Sequence, residues 1–179
     1  MITDALLTFV PEGAALSLVA GAGVDIASTN TIDLFGGGVG TPVNNIIGTA
    51  TVAGADTGLG GVKPQVEVIV GTAATTGSSA TLNVAFQGAA DNGSDQPSTW
   101  TTLVETGEIA AASLTAGAII ARFDWPPAFP AGLRPRFLRL LFQVPAATTF
   151  TAGTIDAALV TMVRDDQGNK YQPSNFTVA

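Results

Sequence analysis

The run Arg136-Phe-Leu-Arg-Leu-Leu-Phe-Gln-Val144 limits the fold more than any other stretch of the chain. Leu138, Leu140, Phe142 and Val144 fall at every second position, so an extended backbone turns all four to one side. Phe137 and Leu141 face the other way, beside Arg139 and Gln143. A strand apolar on both sides and rich in large side chains belongs inside a sheet. Pro135 and Pro145 bracket it, and neither can donate a ladder hydrogen bond, so both mark strand ends. The run predicts the central strand of the fold.

Shorter alternating runs surround it. Residues 25–34, with Ile26, Ile32 and Leu34, read as a strand with a break at 28–30, and 46–52 as a short one. Residues 62–72 place Val66, Val68 and Val70 on one face. Residues 80–87 do the same with Leu82, Val84 and Phe86, and Gly77-Ser-Ser79 between them predicts a hairpin. Asn92-Gly93 centres a turn over 91–95, followed by strands at 99–105, 118–125 and 154–164. Seven or eight strands, close turn signals and no long helix mean a sandwich or barrel, and eight strands in two sheets suit a jelly roll. The predicted class is therefore all-β, a jelly-roll-like antiparallel β-sandwich over 25–179, with residues 1–24 as an N-terminal arm. Ile2, Leu6, Leu7 and Phe9 make that arm apolar, and its spacing allows a two-turn helix over 4–9. Such an arm packs on a neighbour or across its own sandwich. Removing residues 1–11 is expected to leave the sandwich folded.

Few chemistries remain open. The 179 residues contain no cysteine and no histidine, which removes disulfides, Ser-His-Asp and Cys-His nucleophiles and nearly all zinc sites. Gly36–Gly40 is followed by Pro42 and opens no helix, and Lys63 in Gly-Leu-Gly-Gly-Val-Lys63 precedes Pro64, so neither is a phosphate loop. Asp91, Asn92 and Asp95 offer oxygens to calcium but lack the spacing and terminal Glu of an EF-hand, and read as a solvated turn. Glu105 and Glu108 read as surface carboxylates rather than a glycosidase pair. Trp100 and Trp125 either stack on sugars or pack in the core. Arg134 and Arg136 at the start of the central strand either bridge subunits through carboxylates or are solvated, with Arg136 placed at the strand's exposed end. No catalytic residue, metal or cofactor is expected.

Charge points to a covered surface. Hydrophobic residues make up 46% of the chain and charged residues only 12%. Depletion of charge marks buried interfaces, which predicts a homo-oligomer, a dimer ahead of a trimer, or a bound subunit. The net charge of −7 is uneven: residues 1–121 hold ten acids and one base, and 122–179 hold six bases and four acids. An acidic chain does not favour nucleic acid. Apolar runs break well before about 20 residues, so no membrane-spanning helix is expected, and the start lacks the basic region of a secretory signal, which implies synthesis in a cytoplasm.

Five segments in order carry a resemblance: Met1-Ile-Thr-Asp-Ala-Leu-Leu-Thr-Phe9, Ser28-Thr-Asn-Thr-Ile-Asp-Leu34, Ala80-Thr-Leu-Asn-Val-Ala-Phe-Gln87, Arg136-Phe-Leu-Arg-Leu140 and Phe150-Thr-Ala-Gly-Thr-Ile155. Together they resemble the small capsid cement (decoration) proteins of short-tailed bacteriophages. That resemblance implies a jelly roll without catalytic activity, made in the bacterial host. It would sit on the outer surface of the virion head and clamp neighbouring major capsid protein subunits. Ile2, Leu6, Leu7, Phe9, Arg134 and Arg136 are the candidate subunit or capsid contacts. A second class stays open: the segment from Gln87 through Asn92-Gly93 to Trp100-Thr-Thr-Leu103 is similar to the hairpin of discoidin-like and carbohydrate-binding sandwiches.

Overall fold

The computed structural model describes residues 3–11, 13–20, 22–34, 64–124, 129–145 and 148–162, with the side chains of 3–7, 64 and 160–162 excepted. The strands, in chain order, are β1 (Thr3–Val10), β2 (Leu16–Ser17), β3 (Ile26–Ala27), β4 (Ile32–Asp33), β5 (Pro64–Val70), β6 (Thr75–Thr76) and β7 (Thr81–Ala89). They continue as β8 (Thr101–Glu105), β9 (Ile109–Ala110), β10 (Ile119–Asp124), β11 (Phe137–Gln143), β12 (Phe150–Ala152) and β13 (Thr154–Met162), with one 3-10 turn at Ala111–Ser113.

Two antiparallel sheets form the sandwich. One runs β1-β13-β5-β10, with β2 also on β13; the other runs β3-β11-β7-β8, with β4 also on β11 and β9 also on β7. Taking β1 with β2, β3 with β4 and β8 with β9 as single interrupted strands, and setting the small β6–β12 ladder aside, leaves eight. Their order is 1-8-3-6 in one sheet and 2-7-4-5 in the other, the double Greek key of a jelly roll.

The Pro-bracketed run is the interior strand of its sheet. All seven residues of β11 pair in register with β7, from Phe137↔Ala89 to Gln143↔Asn83, and β3 and β4 cover its other edge. Leu138, Leu140 and Phe142 are fully buried. Opposite them lie Val66, Val68 and Val70 of β5 and Phe123 of β10. Phe86 joins the layers, with Phe9 edge-on at 5.6 Å and Phe123 at 5.8 Å between centroids. The break between β3 and β4 has a polar cause. Ser28 inserts its hydroxyl into the ladder, accepting from Leu140 N at 3.1 Å and donating to Asn30 O at 2.8 Å. Asn30 then donates to Phe9 O and Thr8 O, which ties the break to β1.

Three expectations are corrected. The segments at 62–72 and 80–87 do form strands, but not a hairpin. Both edges of β5 are occupied by β13 and β10, and the chain after Gly71 crosses to the opposite sheet before β7 begins. Residues 4–9 are strand rather than helix, because the exposed edge of β13 offers them a ladder. Of the two places open to this segment, Thr3–Val10 takes the chain's own sandwich. Phe9 and Val10 are fully buried, so removing residues 1–11 takes out an edge strand and a core aromatic rather than a loose arm. The short strand expected at 46–52 lies outside the described residues.

Candidate functional site

Arg136 follows Pro135 at the head of β11, where the ladder pair Phe137↔Asp33 brings β4 alongside. Its Nε and Nη2 donate to the two oxygens of Asp33, each at 2.9 Å, a bidentate fork. Its Nη1 donates to Asp91 and to Asp95 in the β7–β8 turn. The Asp33 side chain is 4% exposed and that of Arg136 18%, so the expected position at an exposed strand end is corrected: the guanidinium is enclosed. Its charge is matched inside its own chain.

Local chemistry shapes the turn for this role. Gly93 N donates to Asp91 Oδ1 and Ser94 N to Asn92 Oδ1, both at 2.8 Å, while Gly93 and Asp95 take positive φ of 88° and 58°. The Gly93 N–H, followed by Arg136, holds the Asp91 carboxyl below its usual range against the opposing effect of burial. Hydrogen bonds to Asp33, then to Asp95, push Arg136 further above its already high value. Asp91 and Asp95 therefore face an internal cation. Among the described residues no group of three or more His, Cys, Asp or Glu could hold a metal ion.

The outer face of the β11 sheet carries two side-chain ladders. Gln143 Nε2 donates to Asp25 at 3.4 Å, and Asn83 Nδ2 donates to Gln143 Oε1 at 3.1 Å and to Glu105 Oε2 at 2.9 Å, so one ladder crosses the sheet from Asp25 to Glu105. In the second, Arg139 Nε donates to Gln87 Oε1 at 2.9 Å and Gln87 Nε2 to Thr102 Oγ1 at 3.2 Å. The Arg139 guanidinium lies 4.2 Å from the centre of the Trp100 ring, and burial lowers its pKa from the usual value. Trp100 is half-buried, with that guanidinium over its ring. At the edge of this face, Asp25, Glu108, Asn83 and Gln143 line an open cleft of about 400 Å³ together with Gly23, Val144 and Pro145. Carboxylates and amides can hold a cation or a donor there, but they supply no nucleophile activated by a base.

The other sequence candidates separate. Phe9 is buried against Phe86. Arg134 is exposed, on the loop that leads into β11. Ile2 lies outside the described residues, as do the side chains of Leu6 and Leu7 and all of Trp125. Sequence reasoning found Arg136 and the Asp91–Asp95 turn separately but did not join them, and it missed Asp33. Spacing offered no signal, since 103 residues separate Asp33 from Arg136.

No curated protein matches the chain. The family described as Bbp16 matches it over residues 19–159, a stretch that includes Asp33, Asp91, Asp95, Trp100, Arg136 and Arg139. With most of its length inside that match, the chain belongs to the Bbp16 family.

Proposed function

We propose that this protein is a capsid cement protein, which binds the outer surface of a tailed-phage head and stabilises contacts between major capsid protein subunits. The observation that carries this reading is the strand order, β1-β13-β5-β10 against β3/β4-β11-β7-β8/β9, which is the jelly roll implied by the resemblance. The family name, Bbp16, suggests a phage-related protein, in keeping with that resemblance. The low share of charged residues, 12%, suits a surface covered by other protein, either a second copy in a homo-oligomer or the shell. A cement molecule that touches two shell subunits gains from effective concentration, because its second contact is intramolecular. Binding only the assembled lattice stabilises that lattice by mass action. The work required is adhesion, so neither catalysis nor a cofactor enters the proposal.

The carbohydrate-binding alternative loses support at Trp100. A sugar would stack on the ring face of that residue, and Arg139 lies over the ring.

The test mixes purified protein with heads that lack it, followed by sedimentation and heating. Co-sedimentation and a higher disruption temperature of the heads are the expected results. Protein that does neither overturns the cement reading, and reproducible binding on a glycan array would replace it with the carbohydrate one.

A further inference from the structure

The jelly roll gathers four connections at one end, of which residues 18–20, 22–25, 71–80, 111–118, 144–145 and 148–153 are described. None of them contains a Lys or Arg, and Asp25 is their single acid. Among the described residues, three of the five large apolar side chains most exposed to solvent are here, namely Val19, Val24 and Ile119 at the first position of β10. A charge-poor surface with exposed apolar side chains has the composition of an interface centre rather than of a free surface.

The described residues of this end are also held in shape. Leu18 N donates to Gly153 O at 2.9 Å, Ala74 N to Leu114 O at 2.9 Å and Gly117 N to Val70 O at 2.8 Å. β6 and β12 form a small ladder across it, and Thr76 Oγ1 donates to Thr149 O at 2.9 Å. Gly153 has φ of +135° and passes so close to Ala74 that an added Cβ would lie 3.0 Å from it. A surface already ordered loses little conformational entropy when it docks.

The rim fixes the chemistry of the partner. The Asp25 and Glu108 carboxylates, both exposed, face the cleft beside the amides of Asn83 and Gln143, with no base among the lining residues. We propose that this end of the sandwich docks on a major capsid subunit, and that the Asp25–Glu108 cleft receives a Lys or Arg side chain of that subunit. The proposal rests on the cement reading and names the surface that performs it. A two-fold contact of this end with itself would bring carboxylates against carboxylates, which is unfavourable, while Arg139, the base that interacts with Asp25, is already engaged by Gln87 and Trp100. The partner therefore presents different chemistry: apolar side chains around a protruding base.

Sedimentation with heads lacking cement tests this using three proteins: wild type, the double variant Asp25→Lys/Glu108→Lys, and the neutral pair Asp25→Asn/Glu108→Gln. The expected result is an affinity loss of about tenfold or more for the charge-reversed protein and a smaller loss for the neutral one. Added salt should weaken wild-type binding most. Val19→Glu, at an exposed position outside the cleft, should weaken binding as well. Melting of the free proteins should stay near wild type, since these side chains are exposed. Wild-type binding with undiminished binding by the reversed variant overturns the docking surface and leaves the cement reading in place. Failure of wild type to bind heads removes both. Wild-type oligomers that the reversed variant cannot form, with head binding intact, would assign the end to another copy, for instance through the exposed Arg134 at the opposite end.

Discussion

Asp33 and Arg136, 103 residues apart, meet through two parallel hydrogen bonds of 2.9 Å at the end of the sandwich opposite the loops that lack Lys and Arg. Asp91 and Asp95 close on the third nitrogen of the same guanidinium. One cation thereby fastens β4, β11 and the β7–β8 turn.

Removing that cation strands the buried Asp33 carboxylate beside the more exposed Asp91 and Asp95. Arg136→Ala should destabilise the fold by about 3–5 kcal/mol, the usual cost of stranding one partner of a buried pair. Arg136→Lys should not restore it, because an ammonium cannot reproduce the fork on Asp33. Urea denaturation of both variants, with a double-mutant cycle through Asp33→Ala, measures the coupling. A loss below 1 kcal/mol would show that the clamp is energetically idle.

Acid should loosen the β7–β8 turn. The Asp91 carboxyl is held below its ordinary value of 3.8, first by the Gly93 N–H. A carboxyl depressed in the folded state adds stability above its unfolded pKa and loses it as pH falls through the folded value. The urea midpoint should therefore drop below about pH 4. In Asp91→Asn that part of the drop should vanish. Arg136 is shifted upward, so it stays charged through the neutral and alkaline range and adds no transition there.

Phe9→Ala should cost about 3–5 kcal/mol, since the ring is fully buried and edge-on to Phe86. Deleting residues 1–11 removes that ring, Val10 and the ladder on β13 together. The deletion should broaden or abolish cooperative thermal unfolding, read by circular dichroism. A sharp transition near the wild-type temperature would show that β1 is dispensable.

Leu140→Ala should cost about 2–5 kcal/mol, because the side chain lies fully buried between the sheets. Gln143→Ala, on the outer face of the same strand, should cost less. Denaturant midpoints compare them directly, and equal losses would contradict the facing assigned to β11.

The order of residues alone determined where most strands run and which face of each turns inward. Leu138, Leu140 and Phe142 are buried as the alternation requires, and so are Val66, Val68 and Val70. Side-chain direction in a strand repeats every two residues, so it can be read locally. Local reading reached its limit at residues 4–9, where a short apolar run suits helix or strand equally and the free edge of β13 settled the matter. Pairing was decided only in three dimensions. The runs at 62–72 and 80–87 look like hairpin partners along the chain, yet β5 takes β13 and β10 while β7 takes β11 and β8. Ladder hydrogen bonds join backbone groups common to nearly every residue, so they carry little information about which strands should meet. That choice follows from closing two sheets over one core. The same closure brings Asp33 to Arg136 and places Asp25 and Glu108 on one cleft, meetings that no spacing in the chain records.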